Sequence, residues 1–231
     1  MIMIEYPLIM ILLTLSMYTL SEKIFKESAK HPLLHPFLLT ILLIISVLYV
    51  FDISYLQYRE GTQILNVLIG PAIVSLAVPL YQNLKQVKSS LGLIIITILI
   101  AGTGIFISAL LLGEMMGLTS SMVQALSTKS ITLPIALEIT GLTNIPISLV
   151  VLGVFSTGLA GIIIVPMILR FLKVKDESIQ GLVLGVTAHV FGIAKALDIS
   201  QVAAAFATIG MVLMGCFSVL IVPIILRVGG F

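Results

Sequence analysis

Charged residues are scarce in this chain. Only 10% of its 231 residues are Asp, Glu, Lys or Arg, against 59% apolar, and the mean hydropathy is +1.25. That balance excludes an ordinary soluble domain and points to a polytopic membrane protein whose first partner is the lipid bilayer. A net charge of +2, with the basic residues confined to short loops, offers no surface for nucleic acid. Cysteine is nearly absent: Cys216 stands alone in an apolar run, has no disulfide partner within the chain and reads as a small core residue. Missing too are HExxH, G-x-S-x-G, the P-loop and CxxC, as is any His or Cys cluster. The chain is therefore read as not an enzyme, with no cofactor and no metal.

What is abundant is long apolar runs. They fall at about 6–25, 33–53, 61–83, 90–113, 129–141, 145–172, 179–197 and 202–228. Runs near 20 residues cross a hydrocarbon layer of roughly 30 Å as helices, whereas barrel strands would alternate over ten residues. The expected fold class is all-α. The first run is not a secretory signal, because Glu5 precedes it and Lys23, Lys26 and Lys30 follow it. Segment 129–141 contains Pro134, has Lys129 and Glu138 near its ends and is too short to cross alone, so it reads as re-entrant or a half-helix. If it does not cross, one side collects Lys23, Lys26, Lys30, Lys85, Lys88, Arg170, Lys173, Lys175 and Arg227. The other holds Arg59, Lys129 and Lys195. Cytoplasmic loops gather Lys and Arg, which favours about seven crossings in the cell membrane, N-terminus outside and C-terminus inside.

Within one membrane domain, 1–231, two stretches share a hydropathy pattern. A shift of 115 residues lays 33–53 on 148–168, 90–113 on 205–228, and Gly70 on Gly185. Three crossings per unit would make 33–113 and 145–228 inverted repeats, with an N-terminal helix preceding them. The middle helix of each is interrupted, by Gly70, Pro71 and Pro79 in the first and by Gly181, Gly185 and Gly192 in the second. Interrupted segments at matching positions are the best sequence pointer to a transporter binding site.

The second of these, GLVLGVTAHVFGIAKAL (181–197), carries a histidine and a lysine where lipid disfavours both. As a continuous helix it places Gly181, Gly185, Ala188, His189, Gly192 and Ala196 in one sector about 100° wide, with Lys195 at its edge. A small face of that kind meets another helix or a ligand closely. His189 reads either as an anion-site residue or as a structural histidine bonded to a neighbouring helix. Lys195 reads as a cationic anchor or as a chain snorkelling to the interface. Lys129, expected on the same side as Lys195, would add a second cation, with Ser130 and Thr132 supplying hydroxyls and helix N-termini supplying N–H donors. Glu138, with Pro134 in the same short segment, would pair with a lysine or carry a proton.

Three blocks in this order, KSITLPIALEI (129–139), GPAIVSLAVPLY (70–81) and GLVLGVTAHVFGIAKAL (181–197), resemble the LrgB/CidB family, antiholin-like membrane proteins that include the YohK type. The resemblance spans nearly the whole chain. Lys129, Ser130, Thr132, Pro134, Ile135 and Ala136 match the first family block, and Ala188, His189, Gly192, Ala194, Lys195 and Ala196 match the third. Leu133 and Ile193 stand where the family has threonine, removing two hydroxyls. The resemblance implies one of two functions. One is a secondary carrier of small monocarboxylates or 2-hydroxycarboxylates such as pyruvate, glycolate or glycerate. The alternative is an antiholin-like modulator of murein hydrolase export and autolysis with a small LrgA/CidA-like partner. The inverted units and the intramembrane cationic site favour the carrier, and a homo-oligomer is compatible with either.

Overall fold

A computed structural model of the chain describes residues 2–28, 34–141 and 145–228, with side chains except at 2–6, 73, 140–141 and 225–228. Lys30, residue 33 of the second apolar run and the Arg227 side chain lie outside the described residues. All regular structure among the described residues is helical. A backbone in hydrocarbon has no water to bond, so these apolar runs satisfy their N–H and C=O groups within helices. Six helices are long and apolar enough to cross a membrane, and a seventh crossing is reached if one bent pair counts as a span.

The chain forms two compact units that divide between Ser75 and Leu76. The first unit contains α1 (Ile2–Glu27), α2 (Pro36–Val50), α3 (Tyr55–Gly61) and α4 (Gln63–Ser75). Helix α1 packs against α2 and α3, with the Thr14 and Tyr58 hydroxyls 2.9 Å apart. Pro36 starts α2, where a missing N–H costs nothing. At 15 residues α2 reaches only about 22 Å, so it crosses only together with α3, from which it is bent by 119°. A Ser54/Gln57 capping box opens α3.

The second unit contains α5 (Ala77–Gln82), α6 (Leu84–Ser89), α7 (Leu91–Met115), α8 (Ser120–Ser127), α9 (Leu133–Gly141), α10 (Ile147–Phe171), α11 (Glu177–Leu197) and α12 (Gln201–Val228). The helical run that begins with α4 breaks after Ser75, and the cause is local. Pro79 has no N–H to give the Ser75 carbonyl, and its ring crowds that turn. Pro71, in contrast, lies inside α4, and Gly70 faces open space.

Helix α12 is the centre of the second unit, with α5, α7, α9 and α11 packed on it. Its Ala203, Ala204, Ala205 and Ala207 are fully buried. These small residues let α11 approach closely: a Cβ at Gly181 or Gly185 would strike the carbonyl of Ala203 or Ala207. Lipid tails are as apolar as leucine, so such helix pairs are held by close van der Waals packing. Cys216 departs from the expected core position. It is exposed on α12, one residue beyond the buried Met214 and Gly215.

The expectation of a continuous helix over 181–197 fails at His189, whose φ of 43° and ψ of −123° interrupt α11. A first arm, 177–188, and a second arm, 190–197, meet there. Gly192 in the second arm lies directly against the Leu184 carbonyl of the first, where any Cβ would collide. Ser200 Oγ, just past the second arm, donates to the Glu177 carboxylate at 2.6 Å. In a straight helix those two residues would stand about 35 Å apart. The glycines are contact points between arms and neighbours, and the break itself belongs to the histidine.

Gly185→Ala should lower the stability of detergent-solubilised protein by about 1–3 kcal/mol, because backbone on α12 cannot yield to the new methyl. Gly70→Ala, facing open space, should change the melting temperature little. Equal effects of the two substitutions in a thermal melt would contradict this packing.

Candidate functional site

Residues at the α11 break and at the turn between α8 and α9 come together beside α10. That turn, residues 128–132, is tightly tied: Thr128 Oγ1 donates to the Ala125 carbonyl at 2.9 Å, and Lys129 Nζ donates to Ser130 Oγ at 3.1 Å. Thr132 opens α9 by accepting the Ala136 N–H at 2.9 Å. Pro134, in the first turn of α9, needs no N–H of its own. Thr128 and Ser130 are buried and Lys129 is half-buried. Lys129 lies outside the helices long enough to span. Burial lowers its pKa from the ordinary lysine value, and among the described residues no carboxylate pairs with it.

The His189 ring faces this turn, close enough to the backbone of Lys129 and of Val154 in α10 to interact with both. The residue is 3% exposed. Its Nε2 is the one buried side-chain nitrogen or oxygen among the described residues that lacks a hydrogen-bond partner. An unmet polar atom in a dry interior carries a desolvation cost of about 1–3 kcal/mol, which a ligand able to bond it would offset. The ring stands edge-on to Phe191, centroids 6.0 Å apart, and Phe191 stands edge-on to Phe155 of α10 at 5.8 Å.

Two helices begin beside these residues. Helix α9, of nine residues, starts just after the 128–132 turn, and the second arm of α11 starts just after His189. Unpaired N–H groups and the positive dipole end favour an anion at each. A half-buried ammonium, an unpaired imidazole nitrogen and the Ser130 hydroxyl thus lie on two segments that meet beside α10. Among the described residues no three His, Cys, Asp or Glu side chains gather as a metal site requires.

Other sequence candidates lie elsewhere. Lys195 is on the second arm, six residues past the break, and its Nζ is 3.0 Å from the Asp198 carboxylate. It is not brought to Lys129. Glu138 is exposed on α9 and pairs with no cation among the described residues. Gly185 and Gly192 support the arms, as described above.

Two further residues had no place in the sequence reading. Gly158 of α10 makes the hollow that admits the rings of Phe191 and His189, and Gly161 lies against Ala188. They share the buried stripe Val150, Val154, Gly158, Gly161 and Val165. Two glycines three apart on one face of an apolar helix were the available signal.

A positive φ away from glycine is strained, so the usual order of helix propensity should invert here. His189→Gly should be more stable than His189→Ala by about 1 kcal/mol, whereas in a regular helix alanine wins by that amount. Thermal denaturation of the two variants decides it, and a more stable alanine variant would argue against the break.

Comparison with known proteins adds a family. The profile described as "LrgB-like family" matches residues 14–228. The holin-like protein CidB of Staphylococcus epidermidis is 34% identical over 221 residues, covering 94% of this chain and 95% of the relative. Its namesake in Staphylococcus aureus is 32% identical over 222 residues, with 95% of each chain covered. The uncharacterized protein YxaC of Bacillus subtilis is 34% identical over 211 residues, with 89% of each covered. No solved structure matches the chain.

Proposed function

The chain belongs to the LrgB-like family, and on that premise we propose that it is a holin-like protein of the bacterial cell membrane. In this reading it modulates murein hydrolase export and autolysis together with a small LrgA/CidA-like membrane protein. The observation that carries it is the near full-length similarity to two staphylococcal proteins named holin-like. The six long apolar helices supply the membrane anchoring such a role needs. No step in it requires a catalytic group.

A second reading has its own observation, the unpaired Nε2 of His189, whose ring lies by the Lys129 backbone. Broken helices whose N-termini meet inside the membrane are how secondary carriers hold anionic substrates. On this reading the chain moves small monocarboxylates or 2-hydroxycarboxylates of the pyruvate, glycolate or glycerate type. His189, Lys129, Ser130 and Thr132 bind the carboxylate, and Lys195 serves the approach rather than the site. The holin-like role and the carrier role make different demands: a modulator can act through its partner with a silent anion site.

One strain and one preparation separate them. Deletion should alter autolysis and released hydrolase activity while leaving uptake of labelled pyruvate, lactate, glycolate and glycerate unchanged. Saturable uptake by purified protein in liposomes, abolished in His189→Gln and Lys129→Met variants that still fold, would replace the holin-like reading with the carrier. Deletion without effect on autolysis would contradict the first reading outright.

A further inference from the structure

We propose that residues 177–200 form a re-entrant hairpin, inserted from the face that carries Lys173 and Lys175, and that its second arm is a gate over His189. By length and composition α11 qualifies as a span, yet its two ends are held at one place. Gln86 Nε2 donates to Ser178 Oγ at 3.0 Å, and Asn83 Nδ2 donates to the Gln201 carbonyl at 3.4 Å. One turn of chain therefore touches both the entry and the exit of the segment. Ser200 closes the loop onto Glu177. Each arm alone, of 12 and eight residues, rises only about 18 and 12 Å, far short of the bilayer.

The arms are held by different contacts. The first is keyed to α12 through Gly181 and Gly185, where backbone meets backbone. The second rests on the first through Gly192, seats Phe191 against Gly158 and Phe155 of α10, and buries Ile193 and Ala196 in a cluster with Val165 and Leu169. Opening it costs those apolar contacts but breaks only one exposed polar bond. Its base is held by the hydrogen bond from Ser200 to the Glu177 carboxylate, whose residues are exposed or half-exposed. A strained hinge at His189 and a solvent-accessible latch at the base are what a lid requires. Opening the second arm uncovers His189 from the Lys173 face.

The hairpin also changes the topology. Helix α12 now starts on the face where α10 ends, so the C-terminus lies opposite Lys173 and Lys175. Charge does not distinguish this arrangement from seven crossings. Lys195 joins the lysine-rich side and Arg227 leaves it, so the majority is again nine of the 12 basic residues. This inference stands apart from the choice between holin-like protein and carrier, since it rests on chain geometry alone.

The test uses full-length protein in oriented vesicles, with the one native cysteine removed by Cys216→Ala and an impermeant maleimide as probe. Lys173→Cys and Gln201→Cys should label from the same face and a C-terminal cysteine tag from the other. Labelling of Gln201→Cys from the face opposite Lys173→Cys overturns the hairpin. For the gate, His189→Cys should react slowly, and adding Ser200→Ala should speed that reaction about three- to tenfold from the Lys173 face. Ala188→Cys is the second reporter if His189→Cys does not fold. A rate unchanged by Ser200→Ala, or accelerated only from the opposite face, overturns the gate.

Discussion

The second unit depends on a single backbone constraint, the left-handed conformation of His189. A helix of 21 residues with no such break would carry Leu197 about 30 Å from Glu177, and neither the arm-to-arm contact nor the Ser200 bond would exist. Because histidine is strained there, the surroundings must over-determine it. They do so with small residues: Gly158 and Gly161 receive the hinge from α10, Gly192 and Leu184 fasten arm to arm, and Ala203 and Ala207 receive the first arm. A larger side chain at any of these glycines would fill the space that admits the turn.

The same constraint explains why polar groups sit inside an apolar protein. Turning the chain at His189 starts one helical arm in the interior, and the 128–132 turn precedes a second short helix, α9. Each begins with N–H groups lacking carbonyl partners. Lys129 is half-buried there, and among the described residues no carboxylate pairs with it. Polar groups in such a place are costly unless they are hydrogen-bonded or paired.

Much of this was legible in the sequence, and the remainder has identifiable reasons for being hidden. Composition and run lengths determine the helical, membrane-embedded class, and the polar residues of 129–132 and 181–197 announce themselves against their apolar background. The pairing of these two segments follows from that energetic anomaly. The position of the break does not, because propensity assigns interruptions to glycine and proline, and here the neighbours impose one on histidine. The return of the chain from Ser200 to Glu177 is a non-local contact that periodicity does not carry. Lys195 pairing with Asp198 is different: three residues apart at a helix end, the pair was readable, and the pull of an anion site hid it. Cys216 faces outward because lipid accepts a small thiol as readily as the core does.

The doubling back of 177–200 is the claim on which the site, the gate and the topology all stand. It is tested most directly by the distance between spin labels at residues 177 and 200, measured by pulsed electron paramagnetic resonance in liposomes. The hairpin predicts a separation below about 20 Å. A distribution centred near 35 Å, the rise of a straight helix between those positions, would contradict it.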